Sequence, residues 1–394
     1  MNSAVLHKKN TLVKSKKLAL LLFSLTLTQI IHAETHAYFP SSTEWERKTP
    51  KSLGLSPQKL LKAIDLAKKN TVVTPHDMNK FIENSFGKEP LFSIMGPVKR
   101  REDGSGVVIY KGFIIAEWGD IEREDMTFSV TKSYLSTIAG LAYDEGLISD
   151  VKEKVRISFP HESFNDPHNE PITWEHFLHQ NSDWSGTLWD KPDWADRPAS
   201  YNPKIAINRE MHQPGSFYKY NDTRVNMLAF SLLNLWRRPL DDILKERIMD
   251  PIGASAEWKW HGYKNSWVKI DGKRMQSKSG GGHWGGGFFI STLDHARYGY
   301  LLMNNGKWND QQLISEDWIK MATTPSPTNS RYGYLWWLNT NPSVSNAPTS
   351  AFYASGAGGN YIWIDRENEL LIVMRWVRNM REVLAAFTES LENN

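Results

Sequence analysis

The chain has 394 residues, of which 40% are apolar and 23% are charged, and it contains no cysteine. The apolar share is large enough for a packed core, so intrinsic disorder and a collagen-like repeat are excluded. The absence of cysteine excludes disulfides, thiolate metal sites and a cysteine nucleophile. Any chemistry must therefore come from oxygen, nitrogen and backbone groups.

The N-terminus has the layout of a secretory signal. Five lysines within the first 17 residues precede a short apolar run, Leu18 to Leu27, and Ala33 is a small residue at the expected cleavage point. The run is shorter than the roughly 20 apolar residues of a membrane-spanning helix. We therefore expect a signal peptide at 1–33, cleaved near Ala33. The mature protein is expected to be periplasmic or secreted, with no stable membrane anchor after cleavage.

Removal of the signal peptide also changes the charge balance. Five of the 47 basic residues lie in 1–33, which leaves 42 basic residues against 44 acidic ones. The mature chain therefore has no excess of positive charge, and no nucleic-acid partner is expected.

The predicted elements, taken in chain order, place strands near both ends. After an N-terminal extension at 34–52, Ser56 and Pro57 open a helix as its N-cap and first residue. One β-hairpin is predicted over 107–116 and a second over 361–374. A closing amphipathic helix follows at roughly 380–391.

These elements predict an α/β fold of the α+β type. Its antiparallel β-sheet is built from both chain ends and flanked by helices, with a mostly helical inserted region at roughly 143–285. Since we find no internal repeat and no low-complexity linker, residues 53–394 are predicted to form one catalytic domain.

Serine followed three residues later by lysine is a known pairing of nucleophile and base. The pattern occurs six times, at Ser56, Ser85, Ser129, Ser149, Ser216 and Ser266. Only Ser129 opens a long apolar helix. A spacing of three puts Lys132 on the same helix face, where its amine can reach the Ser129 hydroxyl. The free N–H groups at a helix start can also face a developing oxyanion.

A second segment, 214–228, reads as a Pro-Gly turn, an extended stretch and a helix, with Tyr220 in the extended part. In this order and spacing the chain resembles the serine-reactive β-lactamase and penicillin-binding superfamily, in particular its class C branch. Further similarity lies in 172–178, 285–291 and 332–337. The resemblance spans roughly Leu53 to the C-terminus and is closest to esterase and 6-aminohexanoate-dimer hydrolase-like members.

The resemblance implies a catalytic set of Ser129, Lys132 and Tyr220, with a β-lactamase/transpeptidase-like fold. A serine hydroxyl needs a base to take its proton, and Lys132 and Tyr220 together are expected to act as that base. The apolar surroundings of Lys132 are expected to favour its neutral amine. Which of the two groups holds the proton at rest stays open, because such pairs titrate together.

Two positions depart from the family's motifs. The family's Tyr-x-Asn ends here in Asp222, so either substrate recognition differs at this point or Asp222 is turned away. On the strand 352–360, Ala354 stands where the family has lysine. Ser355 and Gly356 are then expected to line the substrate, and the Ala357 N–H is expected to be the second oxyanion donor. Lys278-Ser279-Gly280 is the alternative position for this third motif.

The remaining candidates concern the cleft border and metals. His283 and Trp284, flanked by glycines, are predicted substrate contacts. His176 and His179 lack the order of a zinc-protease site. We expect no metal and no cofactor.

The sequence thus predicts an exported serine hydrolase that forms an acyl-enzyme from a small-molecule or peptide-like ester or amide. Within hydrolases, the alternative is a β-lactamase or D-alanyl-D-alanine peptidase. From another class, the alternative is a catalytically idle relative that only binds peptides or glycans.

Overall fold

The computed structural model describes residues 38–391. The predicted signal peptide, 1–33, lies outside the described residues. Among the residues described, no helix has both the length and the apolar character needed to cross a membrane.

The described part of the chain has eleven α-helices, with shorter helical turns between them. The helices are α1 Pro57–Lys69, α2 Met78–Phe86, α3 Thr131–Asp144, α4 Val155–Ser158, α5 Trp174–Leu178, α6 Pro203–Ala206, α7 Asp222–Trp236, α8 Leu240–Leu244, α9 Thr292–Met303, α10 Glu316–Ala322 and α11 Met380–Glu389. The turns are four 3₁₀ segments, Pro50–Leu53, Phe128–Val130, Glu162–Phe164 and Asp193–Ala195, and one π segment, Lys245–Met249.

Fourteen strands accompany these helices in the same residues. They are β1 Ser105–Tyr110, β2 Phe113–Trp118, β3 Asp125–Met126, β4 Thr187–Leu188, β5 Lys191–Pro192, β6 Lys259–Ile270, β7 Lys273–Lys278, β8 Gly287–Ile290, β9 Lys307–Trp308, β10 Gln311–Gln312, β11 Trp337–Leu338, β12 Phe352–Gly356, β13 Asn360–Asp365 and β14 Leu370–Arg375.

The main sheet joins the two ends of the chain, as predicted. Its six strands run in the order β11-β12-β13-β14-β1-β2. The join lies between β1 and β14, which pair antiparallel with Val108 opposite Ile372. Both strands are rich in β-branched residues, which fit a pleated sheet buried on both faces. The predicted fold class is therefore confirmed.

Helices cover both faces of this sheet, because successive side chains of a strand point to opposite faces. Val108 and Ile372 pack on one face against α1 and α11. Val107 and Ile109 pack on the other face among residues of α3 and α9. Helix α3, which carries the predicted nucleophile at its start, is therefore held against the centre of the sheet.

Local signals explain the first helix and its approach. Ser56 caps α1, since its hydroxyl accepts a hydrogen bond from the Lys59 backbone N–H, and Pro57 is the first helical residue. In the preceding extension, Trp45 is buried and its indole N–H donates to the Gly112 carbonyl at 2.7 Å. The described part of the extension therefore packs against the tip of the first hairpin.

A second sheet, which was not predicted from the sequence, joins two strands of the inserted region, β6 and β7, to two strands outside it, β3 and β8. Its strands run in the order β3-β8-β6-β7. The longest, β6, has an irregular register between Gly262 and Trp267. The irregularity interrupts the alternation by which a strand is recognised in a sequence. The sheet pairs β3, two residues before Phe128, with β8, and so ties the nucleophile segment to the inserted region.

Candidate active site

Ser129 lies in the 3₁₀ turn Phe128–Val130, which leads directly into α3. The preceding residue, Phe128, has a left-handed backbone with φ of 49°, a conformation that costs free energy for a bulky side chain. The turn is held in place because the Thr131 hydroxyl donates to the Phe128 carbonyl and accepts from the Phe288 N–H. Ser129 is half-buried, so its hydroxyl is fixed at the edge of the core.

Lys132 reaches Ser129 as the spacing predicts. Its Nζ lies 3.0 Å from the Ser129 Oγ, and only 1% of the lysine is exposed. Because Lys132 is enclosed, its amine is held in place by its partners, and Ser129 is one of them. The geometry allows a proton to pass directly between the two side chains.

Asp222 is the second partner of Lys132. Its Oδ1 forms an ion pair with Lys132 Nζ, while its Oδ2 accepts from Arg197 Nη1 at 2.7 Å. Burial would raise the pKa of Asp222, but the charges of Lys132 and Arg197 outweigh burial and hold the pKa well below its ordinary value. Of the two possibilities that the sequence left open, the structure shows the second: Asp222 is turned into the protein, where it neutralises two cations.

Tyr220 lies between the same two cations. Lys132 Nζ is 4.8 Å from the centroid of the Tyr220 ring, and Arg197 Cζ is 5.0 Å from it. Trp337 stacks on the ring with a centroid separation of 6.0 Å. The two cations hold the ring beside the Ser129–Lys132 pair through cation–π contacts.

Strand β12 lies beside the nucleophile. A Cβ atom at Gly356 would overlap the Thr127 carbonyl oxygen and come 3.2 Å from the Ser129 backbone nitrogen, so only glycine allows the strand this approach. Ala357 follows directly in the turn to β13. Ser355 is half-buried, whereas Ala354 points to the opposite face, with 1% exposure.

The alternative third motif occupies a different position. Lys278 closes β7, and its ammonium donates to Asp241 at 2.7 Å. The glycines that follow do reach the site from below, because a Cβ at Gly281 would overlap both Lys132 Nζ and Asp222 Oδ1. The loop after β7 therefore closes over the buried ion pair, whereas β12 borders the nucleophile.

His283 and Trp284, the predicted substrate contacts, are buried side chains with 1% exposure each. Neither side chain lies on the cleft surface in this structure. The His283 ring stacks on Phe86 at 4.0 Å, and its Nε2 lies 2.6 Å from Glu89 Oε2. Both residues thus belong to the protein interior.

Glu89, Asp196 and His283 come close enough to surround a cation, but their contacts fit an ion-pair cluster better. Asp196 Oδ1 accepts from Arg197 Nη1 at 2.6 Å, and Oδ2 accepts from the Asp222 N–H. Both oxygens of Glu89 also have donors, in the Arg197 N–H and His283. Since protein donors already satisfy these oxygens, the cluster needs no metal.

Sequence reasoning missed three residues of this site: Glu89, Asp196 and Arg197. They come from the loop after α2 and from the segment after the 3₁₀ turn Asp193–Ala195, and no spacing connects them to the serine motif. The adjacent opposite charges of Asp196 and Arg197 in a Trp-rich stretch are the only local signal. Arg197 also has φ of 45°, and such strain often accompanies a functional site.

The sheet, the serine before a long helix and the buried lysine together are the arrangement expected for the β-lactamase fold. A family model described as Beta-lactamase matches residues 126–382. Because the match covers more than half of the chain and includes Ser129, Lys132 and Tyr220, the chain belongs to the β-lactamase family.

One curated relative is an Escherichia coli O157:H7 protein whose name makes it, provisionally, a D-alanyl-D-alanine carboxypeptidase. The two are 26% identical over an alignment of 199 residues, and the match covers 41% of this chain and 45% of that protein. The chain thus spans less than half the length of the curated relative that it matches.

Solved structures show the same fold at lower identity. A penicillin-binding protein homologue from Caulobacter crescentus superposes with a TM-score of 0.56 at 16% identity, covering 86% of this chain and 99% of that one. A Bacillus anthracis protein, titled provisionally a 6-aminohexanoate-dimer hydrolase, gives a TM-score of 0.50 at 17% identity, covering 90% and 97%. At these identities, the similarity establishes the fold alone.

Proposed function

We propose that the protein is an exported serine hydrolase that cleaves an ester or amide through an acyl-enzyme on Ser129. The observation that carries this proposal is the 3.0 Å contact between Ser129 Oγ and the buried Lys132 Nζ, beside Tyr220. A protein that only binds peptides or glycans has no use for all three groups in this arrangement. The arrangement of these three groups therefore favours a catalytic protein over a catalytically idle relative that only binds peptides or glycans.

In the acylation step, the Lys132–Tyr220 pair takes the Ser129 proton while Oγ bonds to the substrate carbonyl carbon. The carbonyl oxygen becomes an oxyanion, which the backbone N–H groups of Ser129 and Ala357 would stabilise. The intermediate then collapses, the bond to the leaving group breaks, and the pair returns its proton to that group. The product is an ester between Ser129 and the acyl group.

In the deacylation step, the same pair takes a proton from water, and the hydroxide oxygen attacks the acyl carbon. The bond to Ser129 Oγ breaks, the serine recovers a proton from the pair, and the acid leaves. The Lys132–Tyr220 pair thus accepts a proton twice and returns a proton twice in each catalytic cycle. A mechanism of this kind needs no cofactor.

Export is proposed from the lysine-rich, apolar and small-residue order of 1–33. Mass spectrometry of protein recovered from the periplasm or the medium should give an N-terminus at or near Glu34. Membrane-bound protein that still begins at Met1 would contradict the proposal.

We expect neutral substrates to react better than anionic ones. In the family, the lysine of the third motif offers a cation to the substrate carboxylate, and Ala354 has no charge to offer. Arg197 does not replace it, because its charge is already balanced by Asp196 and Asp222. Loss of a charge-assisted contact costs about 2–3 kcal/mol, which is roughly 30- to 150-fold in rate or binding.

The measurement is kcat/KM for a short neutral p-nitrophenyl ester, a neutral anilide, a cephalosporin and a D-alanyl-D-alanine peptide. The ester or the anilide should exceed the two anionic substrates by at least the stated factor. A cephalosporin or peptide that reacts as well as the best neutral substrate would favour the β-lactamase or D-alanyl peptidase alternative, to which the names of the curated relatives point. Ala354→Lys should gain little, since Ala354 faces the core and a lysine there would be buried.

A further inference from the structure

His283 connects the catalytic pair to a second layer of charge. Its Nε2 lies 2.6 Å from Glu89 Oε2, and its Nδ1 lies 3.3 Å from Asp222 Oδ2. The other oxygen of Asp222 contacts Lys132, whose Nζ contacts Ser129. An unbroken series of polar contacts thus leads from Glu89 to the nucleophile, and His283 lies in its middle.

The surroundings of His283 decide its charge. If the ring were neutral with its proton on Nε2, the Nδ1 lone pair would face Asp222, and Asp196 Oδ1 at 3.7 Å as well. Nδ1 is buried and has no hydrogen-bond partner, and a buried nitrogen lone pair that faces carboxylates is costly. With both nitrogens protonated, the Nε2 N–H donates to Glu89, and the positive ring faces Asp222 and Asp196 on its Nδ1 side. The imidazolium is therefore the form that fits the site.

The balance of charges around the ring also favours the imidazolium form of His283. Three carboxylates face one another here, those of Glu89, Asp196 and Asp222, and all three are buried. Lys132 and Arg197 supply two positive charges, and a protonated His283 supplies the third. Burial would lower the pKa of His283, and Arg197 acts in the same direction, but the three carboxylates outweigh both and raise the pKa above its ordinary value.

We propose that His283 is a buried imidazolium which, through Asp222, sets how tightly the Lys132–Tyr220 pair holds its proton. The inference rests on the proposed function. The Asp222 carboxylate forms an ion pair with the Lys132 ammonium, and an ammonium cannot accept the Ser129 proton. His283 draws part of the Asp222 charge toward itself and so weakens this hold. His283 touches no reacting atom, which makes it a positioning residue.

The charged and titratable groups that face His283 come from several elements. Glu89 comes from the loop after α2, Asp196 and Arg197 from the segment after Asp193–Ala195, and Asp222 from the start of α7. Lys132, on α3, acts on the ring only through Asp222. Phe86 and Trp284, which pack against the ring, are neutral.

The test is the pH dependence of kcat/KM in His283→Gln, measured with a neutral p-nitrophenyl ester. Without the imidazolium, Asp222 holds the Lys132 proton more tightly, so the acidic limb should move up by about one pH unit. On that limb kcat/KM should fall about tenfold and then recover at higher pH. Misplacement of Asp222 alone would instead lower kcat/KM at every pH.

His295→Gln is the matched control. His295 is also buried, and it binds Thr127 and Tyr134 at 2.8 Å each, so it supports the same nucleophile segment. Burial, with a smaller effect of Arg375, holds the pKa of His295 well below its ordinary value, and its replacement removes no charge. The acidic limb should therefore stay in place. If His283→Gln does not fold, His283→Asn serves instead, because it also removes the positive charge and should shift the acidic limb in the same direction.

A second measurement does not depend on turnover. In the full protein with ¹⁵N-labelled histidine, the His283 ring, recognised by its absence from the variant, should be doubly protonated at pH 7. Where the wild type is labelled by fluorophosphonate, a neutral His283 ring overturns the role of His283 and leaves the proposed function intact. An acidic limb in His283→Gln that stays at its wild-type position has the same consequence. A wild type that neither binds fluorophosphonate nor hydrolyses the ester defeats the proposed function, and the role of His283 with it.

Discussion

Ser129→Ala should abolish covalent labelling by a fluorophosphonate probe and lower turnover by roughly 10⁴ or more, as deletion of a serine nucleophile does. The reason is that no other hydroxyl takes its place: Ser129 Oγ is the hydroxyl at 3.0 Å from Lys132 Nζ. The measurement is gel-based labelling of the purified variant, followed by kinetics with a neutral ester. The fold should be retained, since a half-buried hydroxyl is replaced by a methyl group.

Ser216→Ala is the control for this experiment. Ser216 also has a lysine three residues later, but it is exposed and its hydroxyl donates to the Gln213 carbonyl. Lys219 donates to the Arg197 carbonyl instead of to Ser216. Labelling should persist in this variant. Persistent labelling of Ser129→Ala, or its loss in Ser216→Ala, would refute the choice among the six serine–lysine pairs.

The sequence predicts Ser129 as the nucleophile from local information alone. A spacing of three on a helix fixes which side chains share a face, and the apolar run after Ser129 fixes burial. The same reasoning places the hairpins that form the main sheet, since β-branched runs and their turns lie next to each other in the chain. The structure confirms both hairpins and the helix between Pro57 and Lys69.

The charged layer beneath the site could not be predicted in this way. Glu89, Asp196 and His283 lie in separate loops, 107 and 87 positions apart in the sequence, and nothing in their spacing brings them together. Their contacts depend on the packing of three loops around Asp222. His283 and Trp284 were predicted as cleft residues because a Gly-rich loop has no periodicity that would reveal burial.

At Asp222 the chain departs from the family's Tyr-x-Asn motif, and both the sequence and the structure are needed to interpret the change. The sequence shows a carboxylate in place of the family's amide, and only the structure shows what it neutralises. An amide could donate to a substrate, whereas Asp222 accepts from Lys132 and Arg197. The substitution thus turns a substrate-facing position into part of a buried ionic network.

Asp222→Ala should therefore be the most destabilising single change in the site. Removal of this carboxylate leaves Lys132 and Arg197 with one anion fewer in a buried place, and breaking a buried ion pair costs about 3–5 kcal/mol. The measurement is the free energy of unfolding from denaturant titration. Asp271→Ala is the control, because the Arg237–Asp271 pair is exposed, and a surface pair of this kind contributes at most about 1 kcal/mol.

The double variant Lys132→Ala/Asp222→Ala separates the ion pair from simple loss of packing. Once Lys132 is absent, Arg197 still has Asp196, so the double variant should be less destabilised than the sum of the two single variants by about 1 kcal/mol or more. Additive losses would show that Lys132 and Asp222 contribute independently, and the network would then have no energetic role.

The pH dependence of the free energy of unfolding tests whether Asp222 is ionised in the folded protein. Because the pKa of Asp222 is lowered in the folded protein, its contribution is fully present above its unfolded pKa, near 4, and is lost as the pH falls through the folded pKa. His283, with a raised pKa, contributes most below its unfolded pKa, about 6.5, so the comparison belongs between pH 3 and 6. Within that range, the difference in free energy of unfolding between wild type and Asp222→Ala should stay constant down to about pH 4 and shrink below it. A difference that instead grows on acidification would mean that Asp222 is protonated in the folded protein, and the site would then lack the anion on which both the Lys132 pair and the role of His283 depend.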